Sequence, residues 1–227
     1  MLYIPVFAYM FNWVSKKTTI ISMNWVVTLS LLCIPIIVYI LWTPVFFDVQ
    51  YVTLVEHKIS MLHFIAHWIS AIFIGLLFYH VIQVIKEHLP VGAIKAASWL
   101  IAGAIVLFLS LELSVACNAV FYSSHYPLER ITTVYVKTGL PILWGLSSFA
   151  LMWLGMRNKV STLRIISLTL FSINLIKLFV FDIRNIPPAG KIAAFFCLGV
   201  LLLIISFMYQ KVKKIIVQDE VTKENEA

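Results

Sequence analysis

Apolar residues run almost unbroken for about twenty positions at a time along this chain, and charged residues gather between the runs. Six runs stand out, over residues 24–47, 61–85, 97–121, 138–156, 164–183 and 190–210. Each is long enough to cross a bilayer core of about 30 Å, which takes ~20 helical residues. The strands of a β-barrel would alternate apolar and polar positions instead. The pattern predicts an all-α fold, a polytopic transmembrane helix bundle of about six spans. Pro35 and Pro44 fall inside the first run, where a membrane helix tolerates them as kinks. Pro141 falls in the first turn of the fourth, where its missing N–H costs little. Residues 185–190, rich in Pro and Gly, read as a tight turn. Residues 1–14 are apolar but too short to span. They lack a basic leader and a small-residue cleavage site, so they read as an interfacial helix or a truncated span. The expected organisation is an N-terminal segment (1–22), a six-helix bundle (23–210) and a charged tail (211–227).

Composition sharpens this reading. Of 227 residues, 62% are hydrophobic and 12% charged, against about half and a quarter in a soluble domain. That excludes a soluble enzyme, a disulfide-rich module and a disordered chain. The net charge of +7 does not point to nucleic acid, because the basic residues flank apolar runs, where they orient helices and meet anionic head groups. Eleven of the 17 fall on the side that holds the start of the first run and the C-terminus; five fall on the other, and Lys177 lies within a run. That asymmetry places the C-terminus in the cytoplasm, with the chain in an inner membrane. Cys33, Cys117 and Cys197 lie singly in apolar runs and form neither a disulfide frame nor a metal motif. The tryptophans read mostly as interface anchors near span ends. No cofactor is expected.

Ionisable side chains inside apolar runs carry the candidate chemistry, because lipid makes them costly. Glu112 and Lys177 fall at similar depth on two parallel runs, so a Glu112–Lys177 ion pair between helices is one expectation. Ser167, Asn174 and Lys177 share one face at helical spacing. Asp182 sits at the end of the same run and points elsewhere, so it is the poorer partner. Such a set serves either as a buried pair fixing helix register or as a proton or substrate site. His63 and His67 are four apart on one face with Ser60 and Ser70. That spacing suits a shared metal, but no adjacent Glu completes the motif, and His57 and His125 belong to loops. Satisfied interfacial histidines are the commoner case. Ser110, Ser114 and Asn118 repeat at four-residue spacing opposite Glu112 and read as packing contacts that make the third span central. No GxSxG, P-loop, CxxC or GxGxxG motif is present.

Several segments also carry a family pattern. Lys177-Leu178-Phe179-Val180-Phe181-Asp182 ends a run as K-x-F-x-x-D. Lys191 to Leu203 and Ile205 to Lys211 follow it; Leu154-Gly155-Met156-Arg157, Leu163-Arg164-Ile165 and Ser110-Leu111-Glu112-Leu113 precede it. This resembles the C-terminal part of a bacterial family of predicted multi-pass membrane proteins, the domain of unknown function numbered twenty-three thirty-nine. The resemblance covers about residues 110–211, and Lys191 stands where the family usually has Arg. It implies a bacterial envelope protein and supplies no activity.

The expected role is non-enzymatic: a scaffold, an accessory subunit or a transporter-like module. Its expected partners are the lipid bilayer and other membrane subunits or a second copy, with no nucleic acid. The alternative is a membrane-embedded transferase or hydrolase. It would act on a lipid-linked or envelope substrate from the periplasmic side, with His63, His67 and Glu112 as base or metal ligands.

Overall fold

The computed structural model describes residues 3–17, 24–58, 60, 62–123 and 126–178, and in the last run residues 188–189, 192, 195–196, 199–200, 202–203 and 206–207. His125, Asp182, Lys191, most of the sixth run and the tail 211–227 therefore lie outside the described residues. The chain divides into two compact units, residues 1–131 and 132–227.

The first unit packs four helices: α1 (Tyr3–Lys17), α2 (Trp25–Leu54), α3 (Leu62–His88) and α4 (Val91–Phe121). Among the described residues, α2, α3, α4 and the continuous segment Leu128–Arg157 are long and apolar enough to cross a membrane. The short apolar N-terminal segment is α1, which buries Pro5, Ala8 and Asn12 along one face and packs on α2 and α3. Tyr9 meets Phe73 edge-on at 5.4 Å and His80 at 5.6 Å, both on α3. Leu32, Ile36, Ile74, Leu77, Phe78 and Val81 fill the core beside them.

Helix α2 outruns its apolar stretch. Asp48 ends the run at 47, yet the helix continues to Leu54 because Gln50 finds partners on α4 and the Thr53 hydroxyl turns back to the Val49 carbonyl of its own helix. Gln50 Nε2 donates to the Val115 carbonyl at 2.8 Å, and Asn118 Nδ2 donates to Gln50 Oε1 at 3.1 Å. Both side chains are buried, so α2 and α4 share a closed polar contact. Ser110 and Ser114 are buried on α4 as well.

The unit boundary falls within α5 (Leu128–Val134), which runs through a π-helical turn (Tyr135–Gly139) into α6 (Leu140–Arg157); α7 (Ser161–Lys177) follows. Pro141 stands in the first turn of α6, where the sequence reading puts it, but the helix also continues upstream of it, and the π turn is how that continuity accommodates the ring. Leu140 N–H reaches back five residues to the Tyr135 carbonyl, so the Pro ring enters without a clash.

A tight turn folds α7 back on α6. Lys159 sits at φ 56°, Val160 N–H donates to the Gly155 carbonyl at 2.9 Å and Lys159 N–H to the Met156 carbonyl at 3.2 Å. This is the paired 6→1 and 5→2 helix ending, usually built on Gly. Gly155 lets the helices meet: a Cβ there would lie 2.9 Å from Arg164 Cγ and 3.0 Å from both the Arg164 nitrogen and Leu163 Cβ.

Two substitutions in this turn should act with opposite signs. Lys159→Gly is expected to stabilise by about 1 kcal/mol, because a side chain is strained at positive φ. Gly155→Ala is expected to destabilise by roughly 1–3 kcal/mol through overpacking. Unfolding by SDS in mixed micelles, followed by circular dichroism, measures both.

Candidate functional site

The middle of α2 carries a single polar ring, Tyr39, the fifteenth of its thirty residues and 3% exposed. Its hydroxyl donates to Glu112 Oε1 of α4 at 2.8 Å. His67 of α3 completes the group. Its Nε2 lies 3.1 Å from Glu112 Oε2 and 3.2 Å from the Tyr39 hydroxyl oxygen, and its Nδ1 lies 3.4 Å from that hydroxyl. Three helices thus each contribute one side chain to a closed triangle of contacts.

Aromatic rings wall the triangle. The imidazole lies flat on Phe46, with centroids 3.9 Å apart and planes 11° from parallel, and Phe64 meets Phe46 edge-on. Tyr39 also lies near-parallel to the imidazole at 5.6 Å. An aromatic face favours a cation above it, so Phe46 suits a protonated His67 as well as a neutral one. The His67 side chain keeps 1% of its surface accessible, whereas Glu112 keeps 15%. The group is therefore reached through the carboxyl.

Chemically, an ionised Glu112 only accepts. It then takes the Tyr39 hydroxyl hydrogen on one oxygen and the His67 Nε2 hydrogen on the other. A protonated Glu112 donates one hydrogen itself. The same heavy-atom positions serve both states, so the arrangement can take up or release one proton without moving the helices.

His63 does not join this centre. It is exposed, and its Nδ1 lies 3.1 Å from the Ser60 carbonyl. His63 and His67 therefore share a face by spacing but not by surroundings. Among the described residues no three His, Cys, Asp or Glu side chains converge as a metal site would require. His80, on α3 beside Tyr9, has its Nδ1 buried with no partner.

The other candidates belong to the second unit. The face of Ser167, Asn174 and Lys177 packs on the helix before it. Ser148 Oγ donates to the Ser167 carbonyl at 2.7 Å, and Asn174 Nδ2 donates to the Pro141 carbonyl at 2.8 Å. Lys177 Nζ donates to the Val136 carbonyl at 2.9 Å. The π turn explains that contact. The N–H of Leu140 is spent on Tyr135, and residue 141 is a proline with no N–H, so the Val136 carbonyl needs a donor from elsewhere. Asn174 Oδ1 is buried without a partner. Glu112 and Lys177 thus belong to different units, and each has partners within its own.

Sequence reasoning missed Tyr39, Phe46 and Gln50. A hydroxyl-bearing ring halfway along an apolar helix was the available signal for Tyr39, since a buried phenol finds a partner. Trp42, counted with the interface anchors, lies beyond the middle of α2 and away from its ends.

Removing one donor should show in stability. Tyr39→Phe is expected to cost about 1–2 kcal/mol by leaving Glu112 short of a hydrogen bond. His63→Ala should stay within about 0.5 kcal/mol, since its side chain is exposed. SDS-driven unfolding of the two variants beside wild type measures the difference.

A family model described as "Predicted membrane protein (DUF2339)" matches residues 1–212. The match begins well upstream of residue 110, where the resemblance in sequence became visible, and includes all three residues of the Tyr39–His67–Glu112 group. No curated relative and no solved structure matches the chain.

Proposed function

The chain belongs to this family of predicted membrane proteins, and on that premise we propose that it is a transporter-like module whose first unit binds a proton at Tyr39, His67 and Glu112. The observation that carries the reading is a carboxyl bracketed by a hydroxyl at 2.8 Å and an imidazole at 3.1 Å inside an apolar bundle. Ionisable groups at membrane depth mark proton and ion pathways because their desolvation has to be offset by function or pairing. Here the proton passes between Glu112 and His67 along one hydrogen bond, and it enters and leaves at the partly accessible carboxyl.

In this reading the module lies in a bacterial inner membrane with its C-terminus in the cytoplasm, supported by the division of basic residues. Glu112 is the twenty-second of 31 residues in α4, which then runs outward, so the centre lies in the outer half of that helix.

Proteoliposomes loaded with a pH-reporting dye test the proposal. An imposed proton gradient is expected to collapse several-fold faster with wild-type protein than with Glu112→Gln or His67→Gln, at equal insertion. Equal rates, together with lowered unfolding midpoints in both variants, would sink the proton reading. The centre would then be architectural, as in a scaffold or accessory subunit.

A further inference from the structure

Beside Tyr39, on the side of α2 that faces α1, lies a cavity of about 220 Å³. Its walls are Ile4, Pro5, Pro35, Val38, Tyr39 and Trp42. Pro5, Pro35 and Tyr39 are buried and form the floor, while Ile4 and Trp42 are 47% and 55% exposed and form the rim. We propose that this cavity is a binding site for one hydrocarbon chain of a membrane lipid.

Three observations support that occupant. The α2 residues of the wall, Pro35 to Trp42, lie well inside the apolar run 24–47, so the rim opens within the hydrocarbon layer, where the surrounding medium is acyl chain. The rim is also continuous with a lipid-facing apolar strip. Ile34, Ile37 and Leu41 of the same helix are 57%, 54% and 72% exposed. Finally, the space suits a chain and does not suit water. Five of the six lining residues are apolar, and an apolar cavity of roughly 150 Å³ stays dry and takes hydrophobic guests. A cavity of this size accepts the terminal part of an acyl chain, which reaches this depth from either leaflet. The proposal stands apart from the proton-centre reading. The two sites share only Tyr39, whose ring lines the cavity and whose hydroxyl holds Glu112.

The test is photo-crosslinking of the full chain in vesicles that contain a phosphatidylcholine with a diazirine near one chain end. Digestion and mass spectrometry then locate the adducts. Peptides bearing Ile4 and Trp42 are expected to be labelled several-fold above those bearing Ile72 and Leu100, which are 65% and 76% exposed. Val38→Phe, which fills the space, should remove that excess and leave Ile72 and Leu100 unchanged. Val38→Ala, which enlarges it, should increase the excess and covers the case that the larger side chain disturbs folding. Labelling in simple proportion to exposure, or an excess that neither variant alters, would overturn the proposal. So would an excess that falls as protein density in the vesicles rises, because a second copy would then be the occupant.

Discussion

A carboxyl group within an apolar helix bundle depends on the protein for most of its hydrogen bonds, and the first unit is organised around that fact. Glu112 takes a hydrogen from α2 through Tyr39 and faces the imidazole of α3 through His67. Three helices are thereby fixed in mutual register at one level, with Phe46 laid against the imidazole to close the side. Nearer the ends of α2 and α4 the same rule is met with neutral groups, Gln50 and Asn118, which satisfy each other and the Val115 carbonyl. Polar contacts between membrane helices average below about 1 kcal/mol each. Their value here is that a wrong register would leave several of them unpaired together.

The second unit solves a backbone version of the problem. Pro141 removes one N–H, the π turn spends another, and the Val136 carbonyl is left to find a donor. Lys177 supplies it from α7. The Lys177 ammonium is thus tied to a proline 36 positions before it in the chain. Ser148 and Asn174 extend the same contact along α6 and α7, down to the glycine that lets the helices touch.

Helices and their number of residues were largely legible in the sequence, because lipid demands long apolar runs and those runs are visible. The ends were less so. The apolar stretch closed at 47 on account of Asp48, while α2 runs to Leu54 on bonds made by residues that look like loop formers. Glu112 and His67 were legible as singular groups, and the enzyme alternative set them side by side, but only in company with His63, which stays outside the centre. The sequence offered Lys177 as the partner by depth and charge, whereas His67 had been grouped by spacing with His63. Depth estimates along separate helices cannot reveal which faces meet. Pro141 was legible as a helix-start proline, but the helical segment that reaches it through a π turn was not, because nothing in the sequence pattern marks a helix that continues upstream of its proline.

The helices α2 and α4, at 30 and 31 residues, have a consequence for the membrane they inhabit. At 1.5 Å per residue each is roughly 45 Å long, half as long again as a typical hydrocarbon core. Such a surplus absorbs hydrophobic mismatch. A thinner or thicker bilayer changes how far the ends protrude or how steeply the helices tilt. Tyr39, midway along α2, stays roughly 20 Å from both ends of its own helix through all such adjustments.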